Sequence, residues 1–150
     1  PAPRAPNPAA PAPAPDTRTR DAIMRYFEQV DELGGGCMSM GSPDDFAMMI
    51  VSESASGNFS TFDQMLSDQR ANLRRLQRMS VPRELREYHA RTIELTQSGI
   101  RLLENVRRGL ESGDMSRLMT LSSSAQAMQA DAESAERLAT DLKRKYGLEP

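Results

Sequence analysis

The stretch "LREYHARTIELTQSGIRLLENVRRGLESGDMSRLMTLSSSAQAMQADAESAERLATDLKRKYG" (residues 85–147) decides the fold. Core-type residues recur at Leu85, His89, Thr92, Thr96, Gly99, Leu103, Val106 and Leu110, alternately four and three apart. After Ser112, Gly113 and Asp114 the rhythm resumes at Leu118, Leu121, Ala125, Met128, Ala132, Ala135, Ala139, Leu142 and Tyr146. Such alternation is the a/d seam of two helices, each of about 30 residues and about 45 Å. Pro82 suits the first turn of the earlier helix, Gly113 its left-handed end, Asp114 the N-cap of the next, and Gly147 the final stop. So short a connection forces an antiparallel hairpin. Ala125, Ala132, Ala135 and Ala139 on one side, and Thr92, Thr96 and Gly99 on the other, set a seam of small residues. Seams of that kind favour close packing over a ligand cavity.

Upstream, Phe62, Leu66, Gln69, Leu73 and Leu76 continue the helical spacing to about Ser80, and Asp16 can cap a shorter helix with Ile23, Phe27, Val30 and Leu33 on one face. Ser42 and Pro43 open another segment, "PDDFAMMIVSESAS", which fails at Gly57 and Asn58; it either joins the Phe62 helix as a kinked rod or stands alone. No strand pattern is present. The expected fold is all-α: an up-and-down antiparallel bundle of four helices, with room for one extra short helix. Methionines 24, 48, 49, 65, 79, 115, 119 and 128 read as adaptable core filler.

Seven of the ten prolines lie in residues 1–15, "PAPRAPNPAAPAPAP", which hold no large apolar side chain. This arm is expected to run as extended polyproline II over about 45 Å, a tether or partner-binding arm. The folding unit is then residues 16–148, one helical domain. The longest apolar run, "FAMMIV", falls far short of the roughly 20 residues that cross a bilayer. Net charge is −2, with acids and arginines interspersed. The one dense run of cations is Arg70, Arg74, Arg75 and Arg78, followed by Arg83 and Arg86; it reads as compensation of a helix C-terminus and a cover for apolar surface, with a patch for an anionic partner as the alternative, and is too weak to predict nucleic-acid binding.

The stretch "GGGCMSMGSPDD" (residues 34–45) is where a site would be sought. Gly36 and Gly41 have the spacing of a phosphate loop, but no strand precedes them, no Lys follows, and Asp44 and Asp45 place negative charge where the anion would lie. The segment reads as a flexible corner. Cys37, Met38 and Met40 offer thiolate and thioether to a soft metal such as Cu(I), the only metal reading the chain supports. The lone Cys forms no internal disulfide, and no base or acid is assignable to it as a nucleophile. His89 is the only histidine and sits on the seam, where a half-buried packing role with one hydrogen bond is expected. Arg86 stands three residues before it, so the Glu-x-x-His pair of a di-iron bundle cannot form. Glu84 with Glu87, and Glu133 with Glu136, read as solvated faces.

With no catalytic constellation and no cofactor motif, the reading is a non-catalytic interaction or structural module. It would be extracytoplasmic (periplasmic or cell-surface), held by the Pro/Ala arm and turned by one helical face to a protein partner, a larger assembly or a second copy. A leader removed before Pro1 is the expected origin of such an arm. The alternatives are a Cu(I) carrier or sensor at Cys37, Met38 and Met40, and a cytoplasmic location.

Overall fold

A computed structural model describes residues 2, 3, 5, 16–37 and 43–148. It is all-helical, and no strand occurs among the described residues. The elements are α1 (Thr17–Cys37), α2 (Pro43–Ser56), α3 (Ser60–Arg78), a 3₁₀ turn (Arg83–Leu85), α4 (Arg86–Ser112) and α5 (Met115–Lys145). The segment left open between one rod and two is therefore two helices, parted at Gly57, Asn58 and Phe59. Of the expected arm, Ala2, Pro3 and Ala5 are exposed and carry no helix; the rest of residues 1–15 lies outside the described residues.

The α4–α5 hairpin closes at the expected turn. Gly113 takes φ +67, a left-handed conformation that costs glycine nothing, and Asp114 Oδ1 accepts the Arg117 amide at 3.1 Å. Opposed residues run in reverse along the two helices: Arg91 faces Ser134, Gly99 faces Met128 and Gly109 faces Leu118. Every α5 seam position from Leu118 to Tyr146 is buried or half-buried, and most residues between them are exposed. The closest approach nevertheless lies off the seam. A Cβ at Gly99 would meet Met128 Sδ at an ordinary 3.8 Å, whereas one at Gly109 would meet Leu118 Cδ2 at 3.0 Å.

Two apolar clusters hold the remaining helices to this hairpin. In the basal cluster, Ile23, Tyr26 and Phe27 of α1 pack with Leu85 and Ala139, and Met79, Val81, Leu142, Tyr146 and Leu148 close around them. In the apical cluster, Phe62 and Leu66 of α3 pack with Ile100 and Leu103, flanked by Met49 and Ile50 of α2 and by Phe59, Val106 and Leu110. Ile23, Phe62 and Leu85 are fully buried, each contributing about 1.5–3 kcal/mol in transfer terms. Between the clusters α4 offers Thr92 and Thr96. Their hydroxyls donate to the Tyr88 and Thr92 carbonyls, each at 2.9 Å, so the waist needs no other polar partner.

Three expectations need correction. The chain remains helical through Gly34, Gly35 and Gly36 to Cys37, so the corner is shorter than residues 34–45; local i→i−4 bonding outweighs the roughly 1 kcal/mol that each glycine costs. Pro82 stands before a 3₁₀ turn instead of inside the first turn of α4. Four of the methionines read as core are exposed: Met24, Met48 at 73%, Met115, and Met119 at 76%. Their spacing fits a helix, but each faces away from the packed stripe.

Gly99→Ala should therefore raise the urea midpoint, by the about 0.5–1 kcal/mol of helix propensity, because its Cβ meets no close atom. Gly113→Ala should lower it by about 1 kcal/mol through the left-handed φ. Equal midpoints for the two variants would contradict this account of the hairpin.

Candidate functional site

Polar side chains are drawn into the helical stack at three places. The first is a layer in the basal cluster. The Tyr26 hydroxyl and His89 Nδ1 are 2.8 Å apart, and the imidazole also bonds the backbone of Leu76. The ring is thereby held between the Tyr26 hydroxyl of α1 and the Leu76 backbone of α3. One imidazole thus joins α1, α3 and α4. Tyr26 stands edge-on to Phe27, Tyr88 and His89, at 5.7, 6.2 and 5.7 Å between centroids, and Lys143 Nζ lies 4.9 Å from the Phe27 centroid.

Burial sets the protonation of this layer. It raises the Tyr26 phenol above its ordinary value, with the neighbouring Tyr88 adding to the shift. It raises Tyr88 as well, with Asp31 and Glu136 reinforcing and a hydrogen bond to Thr92 opposing. The His89 imidazole is lowered by desolvation, against which the Leu76 hydrogen bond acts in part. All three groups are therefore neutral near pH 7. A neutral phenol bonded to a neutral imidazole cross-links three helices; it does not generate a nucleophile.

The second place is the junction of α2 and α3. Phe59 is the N-cap residue of α3 and its side chain makes no cap bond. Glu53, only 7% exposed, reaches over from α2: Oε1 accepts the Thr61 amide at 2.8 Å and Oε2 the Phe62 amide at 3.2 Å. One carboxylate thereby satisfies two free donors at the positive end of the α3 dipole. Ser60 N also bonds Asn58 Oδ1 at 3.1 Å.

The third is the α3–α4 rim. Arg107 grips Asp63 with Nε at 2.6 Å and Nη2 at 3.2 Å, bonds Glu111 one turn on, and stacks 5.0 Å from the Phe59 centroid. The hydrogen bond from Arg107 holds the Asp63 carboxyl below the usual carboxylate range. Arg70 meets Glu104 at 2.6 Å. These pairs are solvent-exposed, so they set register more than they stabilise.

Among the described residues, those singled out in the sequence are not assembled into a centre. Cys37 ends α1, and its side chain, like Met38 and Met40, lies outside the described residues. His89 is on the α4 seam with the phenol as partner, and Glu84, Glu87, Glu133 and Glu136 are exposed. No group of three His, Cys, Asp or Glu among the described residues is close enough to hold a metal ion. Among these residues no helix is long and apolar enough to cross a membrane. The Glu53 cap was not anticipated, although a Glu seven residues before a Ser-Thr helix start is the signal that could have found it. Against family models, curated proteins and solved structures, the chain has no match.

Two measurements test this chemistry. Glu53→Ala should lower stability to denaturant by about 1–2 kcal/mol by leaving two amides uncapped, with Glu53→Gln losing less; an unchanged midpoint for both would remove Glu53 from that role. The pH response follows from His89 having a folded pKa below its unfolded one. Between those values the unfolded chain binds the extra proton, so stability is full above about pH 6.5 and declines as pH falls through the window beneath it. His89→Gln should flatten that decline between about pH 6.5 and 5, where no other side chain ordinarily titrates.

Proposed function

We propose that the chain is a non-catalytic, extracytoplasmic interaction module. Its helices complete an up-and-down bundle, its Pro/Ala arm (residues 1–15) tethers or docks it, and one helical face receives a protein partner. The observation that carries this reading is the outer side of the α4–α5 hairpin. There two shallow depressions adjoin at Ser98 and Asp131 to form an open groove between the helices: a polar part with Arg91, Glu94, Leu95 and Ser134, and a more apolar part with Leu102, Leu121, Ala127 and Met128. A groove between two antiparallel helices has the dimensions of a third helix, and a flexible methionine such as Met128 adapts to a partner's side chains. The occupant proposed is a partner helix with one apolar stripe and flanking charges of both signs.

The polar layer at Tyr26 and His89 supports a structural role, because each member is neutral and occupied in joining helices. Recovery of a partner from an envelope extract should fall when residues 1–15 are removed, with the melting curve unchanged. It should also fall with Leu121→Glu, whose charge would enter the groove. Equal recovery by all three proteins would refute the reading, and a monomer–dimer shift abolished by Leu121→Glu would replace the partner helix with a second copy.

A further inference from the structure

The hairpin and the two clusters bring four distant segments to one end of the molecule. The basal cluster joins the start of α1, the end of α3, the start of α4 and the end of α5, and Arg20 Nη2 donates to the Gly147 carbonyl at 3.0 Å across it. The Tyr26–His89–Leu76 layer marks the upper limit of this pole. Beneath it, residues 16–25, 77–88 and 137–148 hold ten Arg and Lys against five Asp and Glu, a net charge of +5. Since the whole chain carries −2, the remainder carries −7. The molecule is a charge dipole along its helices.

Compensation of helix ends accounts for part of this. Arg78 and Lys145 lie in the last turns of α3 and α5, where cations suit the negative end of the helix dipole. Arg18, Arg83 and Arg86 do not fit that explanation. Arg18 and Arg86 stand at the starts of α1 and of α4, where the dipole disfavours positive charge, and Arg83 lies in a three-residue turn too short to carry a dipole. All three are exposed, and none forms an ion pair among the described residues.

We infer that the basal pole, through Arg18, Arg78, Arg83 and Arg86, docks on the anionic headgroups of a phospholipid bilayer. Clustered exposed cations are attracted to such a surface within about a Debye length, about 8 Å at physiological salt. Two observations select a membrane plane over a nucleic acid. The net −7 on the rest of the chain would repel a long polyanion running past the pole, whereas a plane meets only the pole and orients the molecule upright. The Pro/Ala arm also joins the fold at Asp16, on this pole, so a tethered arm would hold the basic end against the surface. The inference rests on the tethered reading for its setting, but its test requires no protein partner.

The full chain should cosediment with phosphatidylcholine vesicles containing about 30 mol% phosphatidylglycerol at about 50 mM NaCl, and dissociate by roughly 500 mM, where the Debye length has shortened several-fold. Arg78→Glu/Arg83→Glu/Arg86→Glu should reduce the bound fraction about tenfold or more, whereas Arg101→Glu/Arg108→Glu/Arg117→Glu, an equal change of net charge placed elsewhere, should leave it within about twofold. Circular dichroism should report the same helicity for both. If the basal variant does not fold, its Gln counterpart and the salt titration of the unaltered chain decide the matter. Absence of cosedimentation, equal loss in the two variants, or preference for a short duplex DNA over the vesicles at the same salt would each overturn the proposal.

Discussion

The structure depends on α4 being packed on more than one side along its length. Its basal end, with the 3₁₀ turn before it, supplies Leu85, Tyr88 and His89 to α1 and α5. Its apical half supplies Ile100 and Leu103 to α3 and α2. A helix that serves several neighbours cannot carry one narrow stripe of large residues. The α4 sequence answers this with apolar residues near each end and a waist of Thr92, Thr96 and Gly99. Each threonine returns its hydroxyl to a carbonyl of the preceding turn, so the waist is narrow and internally satisfied. The core is thereby divided in two, and α1 and α2 are each committed to a different half.

Polar groups supply what apolar contact alone leaves unspecified. Apolar stripes tolerate sliding and rotation; a hydrogen bond with two fixed ends does not. The imidazole of His89 bonds the Tyr26 hydroxyl of α1 and the Leu76 backbone of α3, which sets the height of those helices on α4. The Glu53 carboxylate performs the same task between α2 and α3, and there it also discharges the positive end of a helix that begins without a side-chain cap of its own. Arg107 and Arg70 repeat the theme at the rim, more weakly because water screens them.

The chain's surface is unusual in where its apolar and charged residues lie. Four exposed methionines and an open groove along the hairpin leave apolar area outside the two clusters. The cations gather at one pole, against the local preference of the starts of α1 and α4. Both are intelligible in a module that meets other molecules at its side and at its base, which is the role proposed for it.

The helices themselves were legible in the residues. The three-four spacing of Leu118 through Tyr146, the Gly113 stop and the Asp114 cap are local properties, settled by i→i−4 bonding and by side chains one or two turns apart. Sequence by itself therefore determined the all-helical class, the place of the hairpin turn and the α5 face that would be covered. It did not determine which methionines the core would take, because a helical stripe shows that one face is apolar and not how many neighbours will cover it. Nor did it show that His89 would meet Tyr26, 63 positions away, or that Glu53 would cap α3, because such bonds depend on where separate helices come to rest. The basic pole has the same origin. Its arginines and lysines are scattered among acids along the chain, and only antiparallel packing places the ends of four helices together and turns an ordinary composition into a charged surface.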